Sequence, residues 1–293
     1  MLNGILFVII TGVIWTLLAA IYSAVAVRQK SLSGFMFCYA LVFAVLIWGF
    51  CTPVAAPVGE VMIVLLCMLP TALLGQAGFL ALFMAMKNGS HALAWTFTQS
   101  AMVMPFLASW IFLNNNIKWF NFAGLLLIIA ALCGMAVSKR SQDPGENKGK
   151  IRALIFSVTA LLLTGISQFT SLLPGEFAVS GAALSWRLPI NTLLGVITWG
   201  IAALVLHGKI DRKGIKYSVV YGIVVAAGQI TLYCSIDALE PLAMAGIVYP
   251  GAVSICIALF AVYCAIFRKE HLSRLTVASL CVLLGAVALL FWK

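Results

Sequence analysis

The residues of this chain best suited to recognise a molecule are four glutamines and a set of aromatic rings. Gln76, Gln99, Gln168 and Gln229 each stand inside a long uncharged stretch, as do Trp15, Trp95, Tyr233 and Tyr249. A glutamine amide both donates and accepts hydrogen bonds. In apolar surroundings it needs partners, so it faces protein rather than hydrocarbon. Indole and phenol rings add flat apolar surface with one polar handle. Such a set can hold a solute, but it offers no group that makes or breaks bonds. Each residue also has a plainer use. A lone glutamine bridges helices, and Trp or Tyr near a helix end anchors it at the membrane interface. Trp48, Trp110, Trp119, Trp199 and Trp292 fit the anchor pattern, whereas Trp15 and Trp95 stand deeper.

Groups that would carry catalysis are not placed for it. The eight acids, Glu60, Asp143, Glu146, Glu176, Asp211, Asp237, Glu240 and Glu270, all lie outside the uncharged cores. Asp237 and Glu240 read as solvated loop charges beside two such cores. His91, His207 and His271 stand at stretch ends or in loops, where none reads as a proton relay. The eight cysteines form no Cys-x-x-Cys pair and suit small buried apolar positions. No Ser/His/Asp arrangement, metal-ligand spacing or phosphate-cradling Gly-x-x-x-x-Gly-Lys-Ser/Thr is present. These residues suggest no metal site and no cofactor, and ATP-driven work would need another subunit.

The elements that must position the glutamines and rings follow from charge. Only 9% of the 293 residues are charged and 63% are hydrophobic, against about a quarter charged in soluble domains. Ten uncharged stretches of 18 residues or more run over 1–27, 31–59, 61–86, 88–117, 119–138, 153–175, 188–208, 217–236, 241–267 and 275–292. About 20 apolar residues in a helix cross roughly 30 Å of hydrocarbon. Strands of a membrane barrel are shorter and alternate. The spacing therefore predicts an all-α polytopic membrane protein of ten transmembrane helices. The net charge of +10 has the same origin. Fifteen of the eighteen Lys and Arg fall in odd-numbered loops, leaving Lys118, Arg187 and Lys293 elsewhere. Basic residues collect in cytoplasmic loops. The bias places the odd loops, including Lys139–Arg152, inside an inner membrane and both termini outside. The expected partners are a lipid bilayer and a small molecule, not nucleic acid. Residues 1–27 lack a basic leader and read as a first helix rather than a signal peptide. A monomer and a homodimer both remain open.

The polar stretch from Lys139 to Lys150 reads as a flexible linker. It divides the spans five and five, giving a first repeat over 1–138, a cytoplasmic linker over 139–151 and a second repeat over 152–293. The halves echo each other. Ser33-Gly34 and Ser180-Gly181 open the second and seventh spans, and Gly75-Gln76 matches Gly228-Gln229. The fourth and ninth spans contain Pro105 and Pro250-Gly251. A proline there can kink a helix, so these residues are candidate gating hinges. With five helices per half, the second half enters from the opposite side of the membrane. The repeats are therefore inverted, an arrangement that in secondary transporters places the solute where the halves meet.

Ten spans in two five-helix halves resemble the drug/metabolite transporter superfamily. The best local match is Ile266-Phe-Arg-Lys-Glu270-His-Leu-Ser273 followed by a helix with Gly285, which looks like that family's Leu-x-Glu-x-Leu-Ser turn and final helix. Gly12-Val-Ile-Trp15 resembles its first-helix Gly-x-x-Trp, and Arg187 looks like an arginine often found near the start of its second and seventh helices. Asn114 to Asn116 and Cys38-Tyr39 depart from the pattern in the first half. The resemblance implies a central cavity lined by helices 1, 3, 4, 6, 8 and 9, with the four glutamines, Trp15, Trp95, Tyr233 and Tyr249 as substrate-binding residues. It also implies a secondary transporter of a small polar or amphipathic metabolite, such as an amino acid, nucleoside or sugar. A multidrug exporter of the same fold and a membrane enzyme acting on lipid-linked substrates are the alternatives. The related small multidrug exporters use a first-helix glutamate that this chain lacks, which disfavours proton-coupled cation efflux. Arg187 is the one charge close to a membrane core. A structural role, snorkelling from the outer end of the seventh span, is favoured there over anion recognition.

Overall fold

A computed structural model describes residues 2–28, 32–89, 91–112, 118–142, 147–177, 179–209, 212–267 and 273–290. Asn114 to Asn116, Glu270 and Trp292 lie outside the described residues. The long uncharged runs are helical, as backbone groups in lipid must be satisfied within their own segment. In chain order the helices are α1 (Leu2–Arg28), α2 (Leu32–Phe50), α3 (Val58–Asn88), α4 (His91–Gln99), α5 (Val103–Phe112), α6 (Trp119–Gln142), α7 (Asn147–Thr170), α8 (Leu173–Glu176), α9 (Gly181–Leu184), α10 (Arg187–Val205), α11 (Arg212–Leu239), α12 (Val248–Phe267) and α13 (Arg274–Leu290).

Seven segments are long and apolar enough to cross a membrane: Leu2–Ala26, Leu32–Phe50, Val58–Asn88, Ile151–Glu176, Gly181–Val205, Arg212–Leu242 and Ala245–Phe267. The apolar parts of α6 and α13, Trp119–Gly134 and Arg274–Ala286, are shorter. The fourth expected span is divided between α4 and α5. Length and composition alone thus give seven crossings among the described residues, not ten. The linker expected over 139–151 is largely helical, with α6 reaching Gln142 and α7 starting at Asn147. Charged side chains do not stop a helix once it has left the hydrocarbon.

Large apolar side chains point outward from helix after helix. Leu6, Val45, Leu66, Leu162, Ile197, Ile223, Val262 and Leu284 are all exposed. A water-facing surface would not carry such a coat, whereas lipid accepts it. Inside, the most extensive packing joins a helix before residue 142 to one after residue 147. α3 runs along α7, α1 along α11 and α12, α2 along α10 and α11, α3 also along α10, α7 along α4 and α5, and α6 along α13.

Small residues bring these helices close, as membrane interfaces require. A Cβ at Gly78 would lie 2.6 Å from Thr164 Oγ1, and one at Gly75 2.9 Å from Ser167 Oγ. Thr71 and Thr170 hydroxyls meet at 2.8 Å in the same α3–α7 seam, and Ser167 Oγ donates to the Thr71 carbonyl at 2.7 Å. The loop between α2 and α3 and the first turn of α3 are stitched to the start of α9 and α10. Ser180 N and Oγ donate to Glu60 Oε2 at 2.8 and 2.5 Å, and Trp186 Nε1 donates to the Val54 carbonyl at 2.8 Å.

Both candidate hinge prolines stand third in a helix, behind a three-residue 3-10 turn. Ser100–Met102 precedes α5 and Pro105, and Ala245–Ile247 precedes α12 and Pro250. A proline ring clashes with the carbonyl four residues back but is tolerated in a first turn, whose N–H groups have no partner anyway. A 3-10 turn thus replaces α-helical geometry just upstream of each proline.

Candidate functional site

Gly12 sets the approach of α1 to α12, since a Cβ there would lie 2.7 Å from the Ala252 carbonyl oxygen. This brings Trp15, one turn further along α1, against Tyr249 in the first turn of α12, with ring centroids 6.2 Å apart. Gly228 of α11 makes room for the indole, as a Cβ there would be 3.2 Å from Trp15 Nε1. Gly165 follows Gly12 by the same number of residues as Gly228 follows Gly75. Gly165 admits Met104 of α5, just as Gly12 admits α12.

Tyr249 is buried, and its hydroxyl meets Ser171 Oγ at 2.6 Å. Ser171 Oγ also donates to the Gln168 carbonyl at 2.7 Å. Ser171 has one hydrogen to give, so Tyr249 is the donor between them. Tyr233 lies one turn beyond the half-buried Gln229 on α11. Its ring carries the Arg187 guanidinium, 4.7 Å from the centroid, a cation–π contact.

Arg187 is 3% exposed. Its Nε donates to the Leu184 carbonyl at 3.3 Å, and its Nη2 pairs with Asp237 Oδ1. The expectation that it snorkels outward is corrected: its partners come to it. Asp237, expected as a solvated loop charge, is 51% exposed and serves as the counter-ion. One observation stands out against the general satisfaction of buried polar groups. Among the described residues, four buried side-chain atoms have no hydrogen-bond partner: Trp95 Nε1, Gln168 Oε1, Arg187 Nη1 and Ser254 Oγ. Beside the Trp95 indole N–H lies the Cys256 thiol, a weak acceptor. Its ring lies 5.7 Å from Phe260. Thr16, next to Trp15, reaches the Cys256 carbonyl at 3.5 Å.

The structure thus gathers Trp15, Gln168, Tyr233 and Tyr249 from α1, α7, α11 and α12, with Gln229 one turn from Tyr233. Gln76 lies apart. It accepts from Trp199 Nε1 and bonds the Tyr39 hydroxyl, tying α3 to α10 and α2. Trp199, read as an interface anchor, is buried at 3% exposure because Gln76 gives its N–H a partner inside. Gln99 is half-buried at the end of α4, and Pro105 and Gly251 are buried beside the two 3-10 turns. Ser171 escaped the sequence reading, although it stands three residues after Gln168, just past the end of α7.

Toward the end where α2 begins, the interior is filled by rings. Tyr22 packs on Phe79, Phe83 and Tyr221, and Tyr221 packs on Phe35 and Tyr39. Tyr22 donates to the Phe79 carbonyl at 2.6 Å.

Comparison with known proteins gives two findings. A solved structure described only as "Crystal structure of protein" is similar over 98% of this chain and 96% of its own, with a TM-score of 0.68 and 13% identity, a likeness of fold. No curated protein matches. Residues 2–137 match the model of the EamA-like transporter family, part of the drug/metabolite transporter superfamily, so the resemblance read from the sequence holds. By its apolar helices the chain is a multi-pass membrane protein, and its residues 2–137 carry the EamA-like transporter pattern.

Proposed function

We propose that the chain is a secondary transporter that moves a small polar or amphipathic metabolite across the cytoplasmic membrane by alternating access. In this reading it crosses the bilayer ten times as two inverted five-helix halves, with both termini outside and the α6–α7 connection inside. The observation that carries the proposal is the buried cluster of Trp15, Gln168, Ser171, Tyr233 and Tyr249, drawn from both halves. Buried hydrogen-bonding groups beside aromatic faces suit a solute that is amino-acid-, nucleoside- or sugar-like. The packing supports two related halves. Exchanging α1 for α7, α2 for α10, α3 for α11, the α4–α5 pair for α12 and α6 for α13 converts each extensive contact into another one present. The experiment is uptake and exchange by proteoliposomes across a metabolite panel. Saturable flux above empty liposomes is expected, and no flux for any solute would overturn the proposal.

A further inference from the structure

Helices α2 and α10 pack antiparallel, and the segment that follows each one docks on the start of the other. At one end, the loop after α2 and the first turn of α3 meet the start of α9 and α10. Val54 N donates to Ser185 Oγ at 2.9 Å, Trp186 Nε1 to the Val54 carbonyl at 2.8 Å and Ser180 N to Glu60 Oε2 at 2.8 Å. At the other end, the loop after α10 meets the start of α2. A Cβ at Gly208 would stand 2.5 Å from Ser33 Oγ and 2.8 Å from Gly34 N, and one at Gly34 would stand 3.2 Å from the Lys209 carbonyl. Glycine lets backbone lie on backbone this closely. Between the two ends the seam is continuous. A Cβ at Gly200 would lie 3.3 Å from the Phe37 ring, and the Trp48 and Trp186 rings are 6.4 Å apart. Gln76 of α3 bonds both Trp199 of α10 and Tyr39 of α2.

The two clasps are mates. Ser33-Gly34 opens α2 as Ser180-Gly181 opens the α9–α10 segment. Exchanging α2 for α10 and α3 for α11 turns one clasp into the other. With inverted repeats, the second facing state is the first with the roles of the two halves exchanged. A gate is then a contact shut at one end while its mate at the other end is open. A contact that is shut together with its mate is the same in both states, and both clasps are shut here.

We propose that α2 and α10, with the segments that follow them, form a fixed wall that stays shut at both membrane faces throughout the transport cycle. The solute's entrance and exit then lie elsewhere around the bundle. This deepens the transport reading and rests on it.

The test is cross-linking of the full chain in proteoliposomes, in a background without the eight native cysteines. Val54→Cys with Ser185→Cys locks the first clasp as a disulfide, and Ser33→Cys with Gly208→Cys locks the second. A side chain at Gly208 crowds Gly34, so Phe37→Cys with Gly200→Cys, joined by a short bis-methanethiosulfonate, locks that half of the seam independently. The probe is the panel solute that the reduced protein carries fastest. Protein locked at either end, or at both, is expected to show no loss of flux against the same protein after dithiothreitol. The rate of cross-linking is expected to be equal with and without saturating solute, because neither clasp changes with the facing state. Flux lost on locking either end and regained on reduction overturns the wall. So does a cross-linking rate that the solute changes, or an end at which no pair can be joined. Absence of flux for every solute before any cross-link is made sinks instead the transport reading beneath it.

Discussion

Replacing Gly12 by alanine puts one methyl group into the seam between α1 and α12. Its carbon would stand 2.7 Å from the Ala252 carbonyl oxygen and 2.7 Å from Ile255 Cβ. Favourable contact begins at roughly 3.5 Å. Both neighbours are fixed by the α12 backbone, so the helices must separate by about half an ångström to one ångström. Overpacking of this kind costs about 1–3 kcal/mol. Alanine also gains about 0.5–1 kcal/mol over glycine inside a helix. Gly285→Ala isolates that gain, because a Cβ there meets nothing within 4 Å. The difference between the two variants is therefore the overpacking alone. At about 2–4 °C per kcal/mol for a chain of this size, Gly12→Ala should melt about 2–12 °C below Gly285→Ala. The assay is thermal denaturation of the purified variants in one detergent. Trp15 sits a turn away against Tyr249, so flux should fall as well. Equal melting temperatures would refute the close approach of α1 to α12 and the placement of Trp15 that depends on it.

Other predictions follow from the same contacts. Gln76→Leu and Trp199→Phe each leave a buried polar partner unpaired, a loss of about 1–3 kcal/mol. Because the two groups bond each other, the double variant should cost less than the two losses added, as read in a double-mutant cycle of thermal stability. Reporter domains fused after residue 142 and after the last residue should be active on opposite sides of the membrane, inside and outside respectively. The reverse pattern would overturn the proposed orientation.

Much of the membrane architecture was legible because it depends on composition. A run without charge must be helical in lipid, and the basic residues mark where runs end. The site was legible in part. Trp15, Gln168, Tyr233 and Tyr249 stood out as polar or aromatic residues in apolar runs, and packing brings them together. Gln76 carried the same signal but serves a bridge to Trp199, 123 positions away. Nothing local separates the two uses, because the partner is supplied by another helix. Arg187 and Asp237 likewise meet across 50 positions, so a charge that looked free to reach water is held inside. The prolines were visible, but their effect was not. Whether a proline bends a helix or starts one depends on whether the preceding turn can reorganise, and here both preceding turns are 3-10.

The most direct test of a solute site shared by the two halves is chemical access to its centre. In a background without the eight native cysteines, Gln168→Cys would be probed with a membrane-impermeant thiol reagent from each side of oriented vesicles. Alternating access predicts reaction from both sides, slowed on each by a saturating transported solute. A cysteine that reacts from neither side, or from one side only whatever solute is present, would contradict it.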